Sequence, residues 1–118
     1  MKYMLTLFGP EGGMEDATPE QMKAEMDGWS AYSQEAVEKG AFVSGEGLQP
    51  SATASTVTIP ENGGERTVTD GPFAESKEQL GGFYVLECKD LDEALDWARK
   101  IPLRAGTVEV RPVMVFDG

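Results

Sequence analysis

The chain opens on a run, Tyr3 to Phe8, that is apolar at nearly every position and stops at Gly9-Pro10. A continuous apolar run bounded by a turn signal predicts a buried strand. After a polar loop, Thr18-Pro19-Glu20-Gln21 supplies an N-cap, a proline at the first helical position and a capping-box glutamine. Met22, Met26, Trp29, Tyr32 or Ser33, and Ala36 with Val37 recur at helical spacing up to Lys39-Gly40, which predicts a helix over 19–39. Gly28 inside it points to close packing or a kink. Ala41 to Ser44 starts a second strand, interrupted by Gly45-Glu46-Gly47 as a bulge or irregular edge. Ser51–Ile59, the turn Pro60-Glu61-Asn62-Gly63-Gly64 and Arg66–Thr69 read as an excursion hairpin. Gly82 to Leu86 is a further strand, and Asp90 caps a helix through Leu91, Ala94, Leu95, Ala98 and Ile101 that Pro102 stops. Thr107 to Phe116 alternates, with Val108, Val110, Met114 and Phe116 on one face.

The order strand, helix, strand, hairpin, strand, helix, strand is the α+β, ferredoxin-like split βαβ pattern with an inserted β-hairpin. Two helices cover one face of such a sheet. Tyr3 to Phe8 and Phe83 to Leu86 nevertheless offer apolar groups to both faces. A large uncovered apolar face is unusual on a soluble monomer, so the pattern predicts a homodimer packed sheet to sheet, the route to a dimeric α+β barrel.

Composition narrows the function classes. The 118 residues form one expected domain, 1–118, and carry 10 Lys+Arg against 21 Asp+Glu, a net charge of −11. Such a field opposes phosphate backbones and anionic lipid, so neither nucleic acid nor membrane is an expected partner. The 40% apolar fraction argues for a folded chain. There is no histidine, which removes Ser-His-Asp and Cys-His relays and imidazole metal sites. One cysteine, Cys88, cannot form an intramolecular disulfide and suits a reducing compartment. With no signal-peptide core or spanning stretch, a cytoplasmic location is expected.

Polar and conformationally special residues concentrate in Thr69-Asp70-Gly71-Pro72-Phe73-Ala74-Glu75-Ser76-Lys77-Glu78. Asp-Gly-Pro-Phe is a stiff turn, readable as pure architecture with Asp70 as an Asx cap. The functional alternative presents Asp70 at a strand end as a proton-transfer group, with Glu75 and Lys77 following and Lys77 placed to hold an anion. Glu46 between its glycines, and Trp29 or Tyr32 on the first helix, are candidates to line the same cavity between sheet and helices. Cys88 lacks a histidine or dithiol partner and reads as a small buried hydrophobe. Gly9-Pro10-Glu11-Gly12-Gly13 has neither phosphate-loop nor dinucleotide spacing and reads as a surface loop. No cofactor and no metal site are expected.

The run Asp70 to Glu78, continued by Gln79-Leu80-Gly81-Gly82-Phe83-Tyr84, resembles the signature of DGPF-domain proteins in the YCII-related family. Gly45-Glu46-Gly47-Leu48-Gln49-Pro50 and Val108-Glu109-Val110-Arg111-Pro112-Val113 extend the resemblance over nearly the whole chain. It implies a ferredoxin-like subunit of a dimeric α+β barrel. It also implies a frequent genetic association with extracytoplasmic-function sigma factors, and a His/Asp site. The aspartate carries over to Asp70; the histidine carries over to nothing in this chain. Two readings follow: a small-molecule enzyme using Asp70 as acid or base, or a non-catalytic binding or accessory protein in a sigma-factor-linked stress response.

Overall fold

The computed structural model describes residues 1–116. Its elements are β1 (Lys2–Gly9), α1 (Pro19–Glu38), β2 (Phe42–Gly47), β3 (Ser55–Thr58), β4 (Thr67–Asp70), β5 (Gln79–Glu87), α2 (Leu91–Arg99) and β6 (Thr107–Pro112). β2, β5, β1 and β6 lie side by side in that order as one antiparallel sheet, while β3 and β4 pair separately as a hairpin. This is the ferredoxin-like arrangement, with the excursion hairpin inserted between β2 and β5.

Local signals set the helix ends. Thr18 Oγ1 accepts from the Gln21 amide at 3.1 Å and the Gln21 side chain accepts from the Thr18 amide at 2.9 Å, a complete capping box. Asp90 caps α2 by accepting from the Glu93 amide at 2.9 Å. Helix α1 runs unbroken through Gly28, which faces Pro102 with room for a methyl group: an added Cβ would meet the proline ring at 3.7 Å.

Strand periodicity sorts the sheet into two faces. Tyr3, Leu5 and Leu7 of β1 stand beside Leu86, Tyr84 and Gly82 of β5 and, on the other side, Pro112, Val110 and Val108 of β6. These rows meet the helices. Leu5, Leu86, Ala36 and Ala94 are fully buried, and Tyr32 sits edge-on between Tyr84 and Trp97 at centroid distances of 5.1 and 5.7 Å. The intervening residues Met4, Thr6, Phe8, Phe83 and Val85 point to the opposite, helix-free face and are half-buried.

Two strand boundaries differ from the sequence expectation. β2 passes through Gly45 and Gly47 as regular strand, and the irregularity falls earlier, between Phe42 and Ser44. The last strand stops at Pro112 because its partner runs out: the Val113 amide donates to Lys2 at the start of β1, and among the described residues no strand lies beyond for Met114 or Phe116 to pair with. Both are exposed.

Candidate functional site

A cavity of about 910 Å³ opens on the helix-free face at one end of the sheet. Its floor is Phe8, Leu80, Thr107 and Glu109, which the β1–β5 and β1–β6 registers bring together across three strands. One wall is the segment Leu48–Thr56 and the other the segment Pro72–Leu80.

Hydrogen bonds fix both walls to the body. The Leu48 amide donates to Gly81 O at 2.8 Å, and the Ser51 amide donates to the Glu11 carboxylate at 2.6 Å; the Ser51 hydroxyl donates to the same carboxylate. These bonds hold the Glu11 carboxyl below the usual carboxylate range, the hydroxyl contributing most. The loop after Gly9-Pro10 is thus tied down rather than free. On the other wall the Gln79 side-chain amide donates to Ala74 O at 2.9 Å and Ser76 O at 3.2 Å, folding the loop back on itself. The Thr107 hydroxyl lies 3.1 Å from the nearer Glu78 oxygen and donates to that carboxylate.

The Asp-Gly-Pro-Phe turn joins the two walls. Gly71 has φ of +103°, a left-handed conformation that a side chain resists. Its amide donates to Ala54 O at 2.8 Å, and Thr56 Oγ1 donates to its carbonyl at 2.8 Å. Pro72 and Phe73 then line the cavity, with Phe73 94% exposed.

A second cavity of about 570 Å³ lies across the sheet edge, on the helix side, lined among others by Leu7, Glu11, Trp29 and Leu103. Leu48, Pro50 and Gln79 belong to both cavities.

Each expected site residue has a definite place. Trp29 lines the helix-side cavity, its Nε1 donating to Glu25 at 3.2 Å. Glu46 is exposed on the edge strand β2, opposite Phe83 on the open face. Asp70 ends β4 opposite Ser55, exposed and outside both cavity linings. Among the described residues its carboxylate makes no hydrogen bond, so it does not act as an Asx cap either. Glu75 and Lys77 are exposed on the far wall, and the residues that reach inward from that segment are Ser76 and Glu78.

Tyr32 lines neither cavity. It is buried in the core, its hydroxyl donates to Trp97 O at 3.0 Å, and burial above all pushes its phenol pKa upward, out of reach as an acid. The sheet–helix interface beside it is filled by aromatic packing, and of Asp70, Glu46, Trp29 and Tyr32 only Trp29 lines either of the two cavities. Cys88 is a buried thiol whose pKa burial raises, as its lack of partners suggested.

Residues not singled out in the sequence are Phe8, Gln79, Thr107 and the Leu48–Pro50 corner. Glu78 and Leu80 lie inside or beside the special run, and alternation along β1 would have placed Phe8 on the open face. Among the described residues no group of three or more His, Cys, Asp or Glu side chains is placed to hold a metal ion. No helix among them is long and apolar enough to cross a membrane.

A four-stranded antiparallel sheet with both helices on one face and an apolar-walled cleft on the other defines the class: a ferredoxin-like α+β fold whose second sheet face is open. Within that class the chain belongs to the YCII-related domain family, whose family model matches residues 1–117. It is 37% identical over 119 residues to an uncharacterized protein of Rhizobium meliloti (strain 1021), covering 98% of this chain and 94% of that one.

Proposed function

We propose that the protein is a homodimeric small-molecule-binding protein whose ligand occupies the 910 Å³ cleft on the open sheet face. The observation that carries this reading is the cleft itself: apolar surface from Phe8, Leu48, Pro50, Pro72, Phe73 and Leu80, with a few convergent polar groups.

Homodimerisation through the same face is supported by what surrounds it. Met4, Phe83 and Val85 continue the apolar face beyond the cleft, and Val57, Ile59 and Val68 are exposed on the hairpin. The radius of gyration of 16.8 Å exceeds the roughly 13.5 Å expected of a compact chain of this length. Projecting apolar arms of this kind suit a two-fold partner that fills the space between them. A cytoplasmic location belongs to the same reading, on the strength of one buried, unpaired thiol. A binding protein also suits the accessory role beside an extracytoplasmic-function sigma factor that the sequence resemblance implies.

The enzymatic alternative needs Asp70 to exchange protons with a ligand, Glu75 or Lys77 assisting. It is favoured by one observation, the position of Asp70 two residues before Pro72, which lines the cleft. Against it stands the exposure of Asp70, since an acid–base group is usually tuned by burial or a charged neighbour.

A thermal-shift screen of a metabolite library tests both readings. Hits should raise the melting temperature of wild type and vanish in Leu48→Arg, which places a long cation at a half-exposed position shared by the two cavities. Hits that survive Leu48→Arg would place binding elsewhere. Hits that survive Leu48→Arg's counterpart Asp70→Asn support a binding role, whereas their selective loss in Asp70→Asn would favour the enzymatic reading.

A further inference from the structure

We infer that the ligand of the open-face cleft is an organic cation, an amine carried on an apolar, ring-sized body. The inference rests on the binding reading above and adds the ligand's chemistry to it.

Charge in the cleft has one sign. The charged side chains lining it are Glu78 and Glu109, and no lysine or arginine lines it. The two carboxylates differ in their company. Glu109 accepts from Arg111 Nε at 2.7 Å and so has a counter-charge on its own strand. Glu78, exposed on the cleft wall, accepts only from the neutral Thr107 hydroxyl, and among the described residues it has no cation within ion-pair distance. Lys77, its sequence neighbour, is exposed and outside the lining.

A ligand or partner that covers this cleft removes water from Glu78, and a desolvated carboxylate is costly unless a charge and hydrogen bonds replace the water. An ammonium supplies both. A carboxylate or phosphate ligand would meet two like charges without a cationic donor, and a neutral ligand would leave Glu78 uncompensated. Phe8 and Phe73 offer ring faces that attract a cation as well as an apolar body. The second cavity has charge of the same sign, with Glu11 and Glu15 in its lining and no lysine or arginine, although backbone amides and the Ser51 hydroxyl already bond these carboxylates. The net charge of −11 adds a long-range field of the same preference.

Isothermal titration of the full chain with three probes of one shape, 2-naphthylmethylamine, 2-naphthylmethanol and 2-naphthoate, tests this at neutral pH and low salt. The amine should bind about tenfold more tightly than the alcohol, the gain of one charge-assisted hydrogen bond, and the naphthoate should bind more weakly than both. Glu78→Gln should bring the amine down to the alcohol's affinity and leave the alcohol unchanged, which also shows that the variant is folded. Glu61→Gln, on the hairpin turn, should change nothing. An alcohol or naphthoate that binds as well as the amine, or an amine preference that survives Glu78→Gln, overturns the cation assignment while the binding reading stands. If none of the three binds, the cation assignment falls, and the binding reading is decided separately by the metabolite screen.

Discussion

The two faces of the sheet are built from alternate residues of the same strands and reach different ends. On one, Tyr3, Leu5, Leu7, Tyr84 and Leu86 are covered by α1 and α2 and sealed by a cluster of edge-on aromatic rings. On the other, Met4, Phe8, Phe83 and Val85 are half-buried with no element over them, and they run into a cleft with charged carboxylates at its floor. The helix face has its polar atoms satisfied internally: Tyr32 bonds the Trp97 carbonyl, and the Ser33 and Tyr84 hydroxyls share a bond of 2.7 Å. The open face keeps two cleft-lining carboxylates, Glu78 and Glu109, of which only Glu109 has a cationic partner among the described residues. The difference separates a face that holds the fold from one that is free to bind.

Substitution should separate the faces in the same way. Leu5→Ala removes a fully buried side chain on the helix face and is expected to cost about 2–5 kcal/mol in urea denaturation; a loss under 1 kcal/mol would mean that this face does not dominate stability. Val85→Lys, one position along the neighbouring strand on the open face, should halve the solution mass while leaving the far-ultraviolet circular dichroism intact. A dimer that persists would move the interface off the sheet.

A smaller gain is expected on the helix layer from Gly28→Ala. The added methyl reaches Pro102 at an ordinary contact distance of 3.7 Å, and alanine is favoured over glycine inside a helix by roughly 1 kcal/mol. A fall in melting temperature would show that Gly28 is needed for packing.

The outer rim of the helix layer should show a pH signature. Glu35 accepts from Lys100 at 2.7 Å and from Lys39 at 2.8 Å, bridging α1 to the end of α2, and these two ammonium groups draw its pKa down from the ordinary 4.5 to about 2. A depressed carboxyl pKa stabilises the fold above the unfolded-state value and loses that contribution as pH falls. The loss should therefore run from about pH 4.5 to about pH 2, and Glu35→Gln should flatten the stability profile in that window. An unchanged profile would show the bridge to be unoccupied in solution. The smallest effect belongs to Asp70→Asn. With an exposed carboxylate that makes no hydrogen bond among the described residues, it should shift stability by less than about 0.5 kcal/mol.

Legibility in the sequence followed the same division. The ferredoxin-like order, the capping box at Thr18, the Asp90 cap and the apolar character of both sheet faces rest on short-range patterns, and each is where periodicity or a cap placed it. The site depends on contacts distant along the chain. Thr107 reaches Glu78 and Glu11 reaches Ser51, partners that no spacing rule connects. The special run from Asp70 to Glu78 did mark the wall of the cleft, but inward and outward residues alternate within it: Ser76 and Glu78 line the cavity while Glu75 and Lys77 do not. Tyr32 was ambiguous for another reason, since an aromatic at helical spacing is equally placed for a core or for a cavity until the opposing Tyr84 and Trp97 are known.

The central claim is that the open face is completed by a second copy of the chain. Sedimentation equilibrium of the wild-type protein at micromolar concentration tests it most directly. A mass of twice the 12.8 kDa chain is expected; a single species of 12.8 kDa, with Met4, Phe83 and Val85 left facing water, would rule the second copy out.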